Sequence, residues 1–141
     1  MELEEIKTLM RKSLKDNFRF FDENHIVNAG RISGEKIWTH YRTSAENAFS
    51  IPGTTHLDVE LIEDICYLLE IEIDLRQRGK GIGWELYESV HKFAKEYGSK
   101  VVRLTPSGFS IHDTKRTRRA YLLDRGYIPF DDVEVEFVLW K

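Results

Sequence analysis

Ile71-Glu72-Ile73-Asp74-Leu75-Arg76-Gln77-Arg78-Gly79-Lys80-Gly81-Ile82-Gly83-Trp84 is the stretch on which the reading of this chain turns. Alternating apolar and acidic residues give way to three glycines interleaved with three cations, and then to a helical pattern. Upstream, Leu57-Asp58-Val59-Glu60-Leu61 alternates as a half-buried strand does, and Glu63-Asp64 can turn the chain. Ile65 to Leu75 then reads as a second strand. An unbroken period of two puts Tyr67, Leu69, Ile71 and Ile73 on one side and Leu68, Glu70, Glu72 and Asp74 on the other. Downstream, Ile82, Leu86, Val90, Phe93, Ala94 and Tyr97 recur at helical spacing, and Gly98 stands where a left-handed cap would end the helix. Val101 to Leu104, stopped by Pro106, reads as the next strand. Strand, glycine turn, helix and strand make a parallel βαβ unit.

The flanks complete the outline. Leu3, Ile6, Met10 and Leu14 mark one face of an N-terminal helix, over which Phe18, Phe20 and Phe21 are expected to pack. Asn28-Ala29-Gly30 and Ser50-Ile51-Pro52-Gly53 read as turns, with a helix, or a strand and a helix, between Gly34 and Phe49. Asp113 or Thr114 is the expected cap of a helix that runs through Ala120 and Leu123 to Gly126, and Val133 to Trp140 reads as a last strand. The fold class expected is therefore α/β (α+β), a mixed central sheet flanked by helices. With no repeat, linker or low-complexity stretch, residues 1–141 are expected to form a single domain.

The composition belongs to a globular protein, with 41% hydrophobic residues, enough for a core. One cysteine, Cys66, excludes an intrachain disulfide, and its apolar surroundings suit a core thiol. That usage fits a cytoplasmic location. No run approaches the ~20 apolar residues that span a bilayer, and the acidic start, Met1-Glu2-Leu3-Glu4-Glu5, is unlike a secretory signal. The net charge of −3 divides unevenly: residues 1–74 carry 8 Lys/Arg against 15 Asp/Glu (−7), and residues 75–141 carry 13 against 9 (+4). A basic half for an anionic ligand and an acidic half for a cationic one is one reading; scattered surface charge is the other.

Glycine lets another group approach the backbone closely, and amides at a helix start, aided by the helix dipole, suit a phosphate or pyrophosphate. Arg76, Arg78 and Lys80 add full positive charge to the glycines at 79, 81 and 83. A tight connection with no ligand is the plainer alternative. The nucleotide P-loop pattern fails, because Lys80 lies inside the run and Trp84 follows the last glycine. The dinucleotide fingerprint is poor too: the spacing is G-x-G-x-G, and the next strand ends Arg103-Leu104-Thr105 with no acid.

Arg78-x-x-Gly81-x-Gly83 resembles the (Q/R)-x-x-G-x-(G/A) motif of the Gcn5-related N-acetyltransferase (GNAT) superfamily. Ile71 to Leu75 is similar to that family's fourth strand, and Trp84 to Tyr97 to its third helix. Ala120-Tyr121-Leu122-Leu123-Asp124-Arg125-Gly126-Tyr127 resembles its late helix-then-glycine-aromatic segment. The resemblance is good over residues 65–141 and thin over 1–56. It implies an acyl-CoA N-acyltransferase fold with splayed fourth and fifth strands, with acetyl-CoA as the acyl donor. Backbone groups of Ile71 and Ile73 would pair with the pantetheine arm, and the amides of Arg78, Gly79, Lys80, Gly81, Ile82, Gly83 and Trp84 would cradle the pyrophosphate.

An amine attacking a thioester must be neutral, so a base is needed. Glu70 and Glu72, on the polar face of the strand that would pass the thioester, are the candidates. Solvated strand residues, or partners for the arginines, are the plainer reading of both. The family's acid, a tyrosine four residues before the late glycine, is replaced here by Leu122, and Tyr121 comes one residue earlier. One residue turns a helical side chain by about 100°, so Tyr121 is the candidate acid only with a local shift. Lys115, in place of an asparagine frequent in the family, is expected near CoA, and Ser110 and His112 share its loop. Five histidines, at 25, 40, 56, 91 and 112, include no helical metal pair, so no metal is expected. The basic run 115–119 lacks interleaved aromatics, so no nucleic-acid partner is expected. The acceptor expected is the amine of a small molecule or a peptide, drawn to the acidic half; a homodimer is compatible with the resemblance.

Overall fold

The computed structural model describes residues 1–23, 26–32, 36–43, 55–73, 81–106, 109–110 and 113–140. The chain opens with helix α1 (Leu3–Asn17), whose stripe of Ile6, Met10 and Leu14 is fully buried. At its start the Glu2 N–H donates to Glu5 Oε1 (3.3 Å), satisfying one of the backbone donors that a helix leaves orphaned. Phe18 is buried behind it, Phe21 tilts onto the Tyr41 ring at 5.4 Å, and Phe20 is exposed.

Strands β1 (Ile26–Arg31), β2 (Ile37–Arg42), β3 (His56–Ile62) and β4 (Ile65–Glu72) follow as an antiparallel meander. The turn expected at Asn28-Ala29-Gly30 is instead part of β1. That strand lies at the sheet edge and pairs only with β2, where residues that weaken a central strand are tolerated. Residues 44–54, with the expected turn at 50–53, lie outside the described residues. The Glu63-Asp64 turn is as expected, with Glu63 at a positive φ of 51°.

Helix α2 (Ile82–Tyr97) buries Ile82, Leu86, Val90, Phe93 and Ala94 and ends at Gly98 with φ 109°. It packs along α1 and leads to β5 (Val101–Leu104), which runs parallel to β4. Next come a two-stranded ribbon of β6 (Phe109–Ser110) and β7 (Asp113–Thr117), helix α3 (Arg118–Leu123), and strands β8 (Ile128–Pro129) and β9 (Val135–Val138). Asp113 and Thr114 do not cap α3: both lie in β7, where Asp113 pairs with Ser110, and the cap is Thr117, whose Oγ1 accepts from the Ala120 N–H at 3.1 Å. The main sheet has the order β1-β2-β3-β4-β5-β9-β8, mixed as expected.

One face of β2 and β3 (Ile37, Thr39, Tyr41, Leu57, Val59, Leu61) is buried in the same core as the apolar stripes of α1 and α2. Each such aliphatic side chain contributes about 1.5–3 kcal/mol when withdrawn from water. The opposite face carries Trp38, His40, His56, Asp58 and Glu60, all half-buried.

Candidate active site

Strand β4 is not the unbroken alternation that its sequence predicts. Val59 pairs with Leu68 and Asp58 with Glu70, so Leu69 is an extra residue, a β-bulge. Before the bulge Cys66 and Leu68 enter the core; after it Ile71 and Ile73 pack against the core, while Glu70 and Glu72 are exposed. Leu68 and Ile71 therefore share a face that a strict period of two denies them. Leu69, half-exposed, is left outside the ladder.

The bulge coincides with a second irregularity. Strands β4 and β5 pair only over Ile65↔Val101, Cys66↔Val102 and Tyr67↔Arg103. Beyond Tyr67, β4 continues to Glu72 with no further pairing to β5 among the described residues, so the two parallel strands part. At the vertex Arg103 is held by three side chains. Its Nε donates to Glu136 Oε2 (3.0 Å) and its Nη1 to the Tyr67 hydroxyl (3.2 Å); its guanidinium lies 3.7 Å from the Phe130 ring centre and 5.7 Å from that of Tyr67. The sequence reading did not single out Tyr67 or Arg103; only the register of a parallel pair brings them together.

Past the parted strands stands the first turn of α2. Gly81 precedes it with φ 79°, ψ 4°, a left-handed conformation that costs an L-residue with a side chain about 1–2 kcal/mol. Among the described residues, no atom lies within 4 Å of a Cβ placed on Gly81 or Gly83. The Ile82 side chain anchors the turn in the core, and the Trp84 N–H donates to the Gly81 carbonyl at 3.1 Å. Arg78, Gly79 and Lys80 lie outside the described residues, as do Asp74, Arg76 and His112. Lys115 is placed only through its backbone, in β7.

Tyr121 is brought to this same turn. Its ring centre is 6.3 Å from that of Trp84 and 6.4 Å from that of Tyr87, and the Arg125 guanidinium lies 3.7 Å over it. Burial raises its phenol pKa, which keeps the hydroxyl protonated, as a donor must be. Leu122, at the place of the family's tyrosine, is fully buried in the core. An acid at that position would be sealed from substrate.

Glu70 is 65% exposed and belongs to a cross-strand chain of polar groups. His56 Nδ1 lies 3.5 Å from Glu70 Oε2, His56 Nε2 lies 2.9 Å from Asp58 Oδ2, and His40 Nδ1 lies 3.6 Å from Asp58 Oδ1. Burial lowers the His40 pKa, with Asp58 opposing the shift. The three strands put four donor-bearing side chains on one face, a juxtaposition invisible to a search along single helices.

No family model matches the chain, and no curated protein matches it. Solved structures do. An acetyltransferase of Bacillus cereus aligns over 99% of this chain and 94% of its own, with a TM-score of 0.52 at 13% identity. The PaiA N-acetyltransferase of Thermoplasma acidophilum, solved in complex with coenzyme A, aligns over 98% and 95%, with a TM-score of 0.46 at 14% identity. With the mixed sheet and the parted β4 and β5, the first of these likenesses establishes the fold. The chain has the acyl-CoA N-acyltransferase fold. Among the described residues no helix is long and apolar enough to cross a membrane.

Proposed function

We propose that residues 1–141 form a single-domain, acetyl-CoA-dependent N-acetyltransferase acting on the primary amine of a small molecule or peptide by direct attack in a ternary complex. The observation that carries this reading is the parting of β4 and β5 at Tyr67/Arg103, with a left-handed Gly81 at the start of α2. The thioester supplies an activated acetyl carbonyl, which an amine attacks without metal or redox chemistry. Backbone groups of Ile71, in β4, and of Ile73, just past its end, hold the pantetheine arm. Arg78 to Trp84 hold the pyrophosphate, and Lys115 the remaining CoA phosphate. Glu70, exposed on the same strand, takes the proton from the incoming ammonium, directly or through a water; Glu72 is the second candidate. Tyr121 returns a proton to the departing thiolate. The single buried thiol, Cys66, whose pKa burial pushes up to about 12, suits a cytoplasmic protein.

A second reading is favoured by one observation, the burial of Leu122 where the family has its acid. On that reading the chain binds CoA or a partner without turnover. Calorimetric titration with acetyl-CoA, beside a Gly81→Glu variant, tests the shared premise. Saturable binding that the variant loses supports the site; a folded native chain that binds nothing overturns both CoA readings. Thiol release with a panel of amines then separates enzyme from binding module.

A further inference from the structure

The polar face of the sheet holds a group of side chains, His40, His56 and Asp58 beside Glu70, of which the proposed acetyl transfer uses Glu70 alone. Asp58 is its centre. Across β2 it faces His40, across β4 it faces Glu70, and His56 lies two residues along β3 on the same face. The bulge creates this arrangement. Without the extra residue, Leu69 would stand opposite Asp58; with it, a second carboxylate does. Two like charges directly opposite each other on a sheet destabilise it, so the pairing calls for a cation between them.

The present contacts supply only part of that charge. Asp58 Oδ1 is shielded from solvent and has no hydrogen-bond partner among the described residues; His40 Nδ1, at 3.6 Å, is too far to donate. A shielded carboxylate oxygen left unpaired is costly and unusual enough to need a reason. One ligand atom from each of His56, Asp58 and Glu70 lies within 4.8 Å of the other two. Ligands at ~2.0–2.1 Å in a tetrahedron are roughly 3.3 Å apart, so small side-chain rotations suffice. Glu70 is the ligand that must move most, because one imidazole nitrogen holds one ion, and its exposure leaves it free to swing. Imidazole with carboxylate is a donor set that suits Zn²⁺ among divalent ions.

We propose that His56, Asp58 and Glu70, with His40 as a fourth ligand, form a binding site for a first-row divalent cation of the Zn²⁺ type on the open face of β2, β3 and β4. Two carboxylates neutralise the ion, and rigid backbone on three paired strands fixes the donors. The proposal does not rest on the acetyltransferase reading, because its readout is binding alone.

The test is calorimetric titration of the untagged, chelator-treated chain with Zn²⁺ near neutral pH, with the fold checked by circular dichroism. One saturable site of micromolar Kd is expected, weakened at least tenfold by His56→Ala and by Asp58→Asn. Glu70→Gln alters an exposed side chain and leaves the fold intact, and it should weaken binding at least tenfold too. Absence of saturable binding by the folded native chain overturns the site. So does binding that all three variants retain unchanged, which would put the ion elsewhere.

Discussion

Glu70 illustrates how much one residue depends on its neighbour in the chain. Leu69, the residue before it, drops out of the ladder, and that displacement alone sets Glu70 opposite Asp58 and beside His56. A carboxylate in this position can take a proton from an amine held over β4. If it does, Glu70→Gln should lower kcat by roughly 100-fold or more, the usual range for losing a general base, with acetyl-CoA affinity unchanged. Steady-state kinetics on the preferred amine, paired with calorimetry, checks both halves; an unchanged kcat would remove Glu70 from the mechanism. Tyr121 is the parallel case for the acid. Because its ring rests on Trp84 and under Arg125, Tyr121→Phe keeps the packing and removes only the hydroxyl. It should reduce kcat while the melting temperature holds, and a normal kcat would mean that the thiolate leaves without help from Tyr121.

At the scale of elements, α2 and the late segment are joined by an aromatic cluster. His91 on α2 stacks on Phe137 of β9, with ring centres 4.0 Å apart and 9° between planes. The Tyr127 hydroxyl, just after α3, is hydrogen-bonded to His91 Nε2 at 2.6 Å. Burial pushes the His91 imidazole down from 6.5 to about 4, so the folded chain keeps it neutral. Below about pH 6.5 the unfolded chain takes up a proton that the folded chain refuses. The stability from this group, full above that pH, is therefore lost as pH falls towards 4, by roughly 3 kcal/mol at ~1.4 kcal/mol per tenfold in proton affinity. Urea unfolding of the native chain and of His91→Gln between pH 7 and 4 should show a shallower decline in the variant. Equal slopes would show that His91 is not responsible. What this clamp positions is Tyr121, which lies on Trp84 at one end of the cluster.

For the molecule as a whole, the decisive feature is that the sheet is split. The parallel pair β4–β5 closes for three residues and then opens, with α2 starting beyond the gap. The charge asymmetry acts at the same scale. Residues 1–74, at −7, include the β3 and β4 carboxylates, and residues 75–141 carry +4. Long-range attraction of this kind is screened over about 10 Å at 0.1 M salt. The KM for a dicationic amine should rise several-fold between roughly 0.05 and 0.5 M NaCl, and that for a neutral-tailed amine of similar size much less. A KM that ignores salt for both would assign the asymmetry to surface scatter.

The sequence by itself determined the elements whose signals are local. The buried stripes of α1 and α2, the left-handed Gly98, the Glu63-Asp64 turn and the βαβ unit all follow from side-chain period and backbone freedom, which act within a few residues. The left-handed glycine before α2, Gly81, followed from the same kind of signal. Strand β1 was hidden, because an edge strand tolerates Asn28 and Gly30; the start of α3 was displaced, because Asp113 and Thr114 are taken up by β7, a strand of the ribbon, instead. Only the tertiary structure decided the bulge at Leu69, the Tyr67–Arg103 vertex and the meeting of His40, His56, Asp58 and Glu70. Each depends on which residue of one strand lies opposite which residue of another. Register is set by the packing of the whole core and the length of the turns, and no single strand carries it.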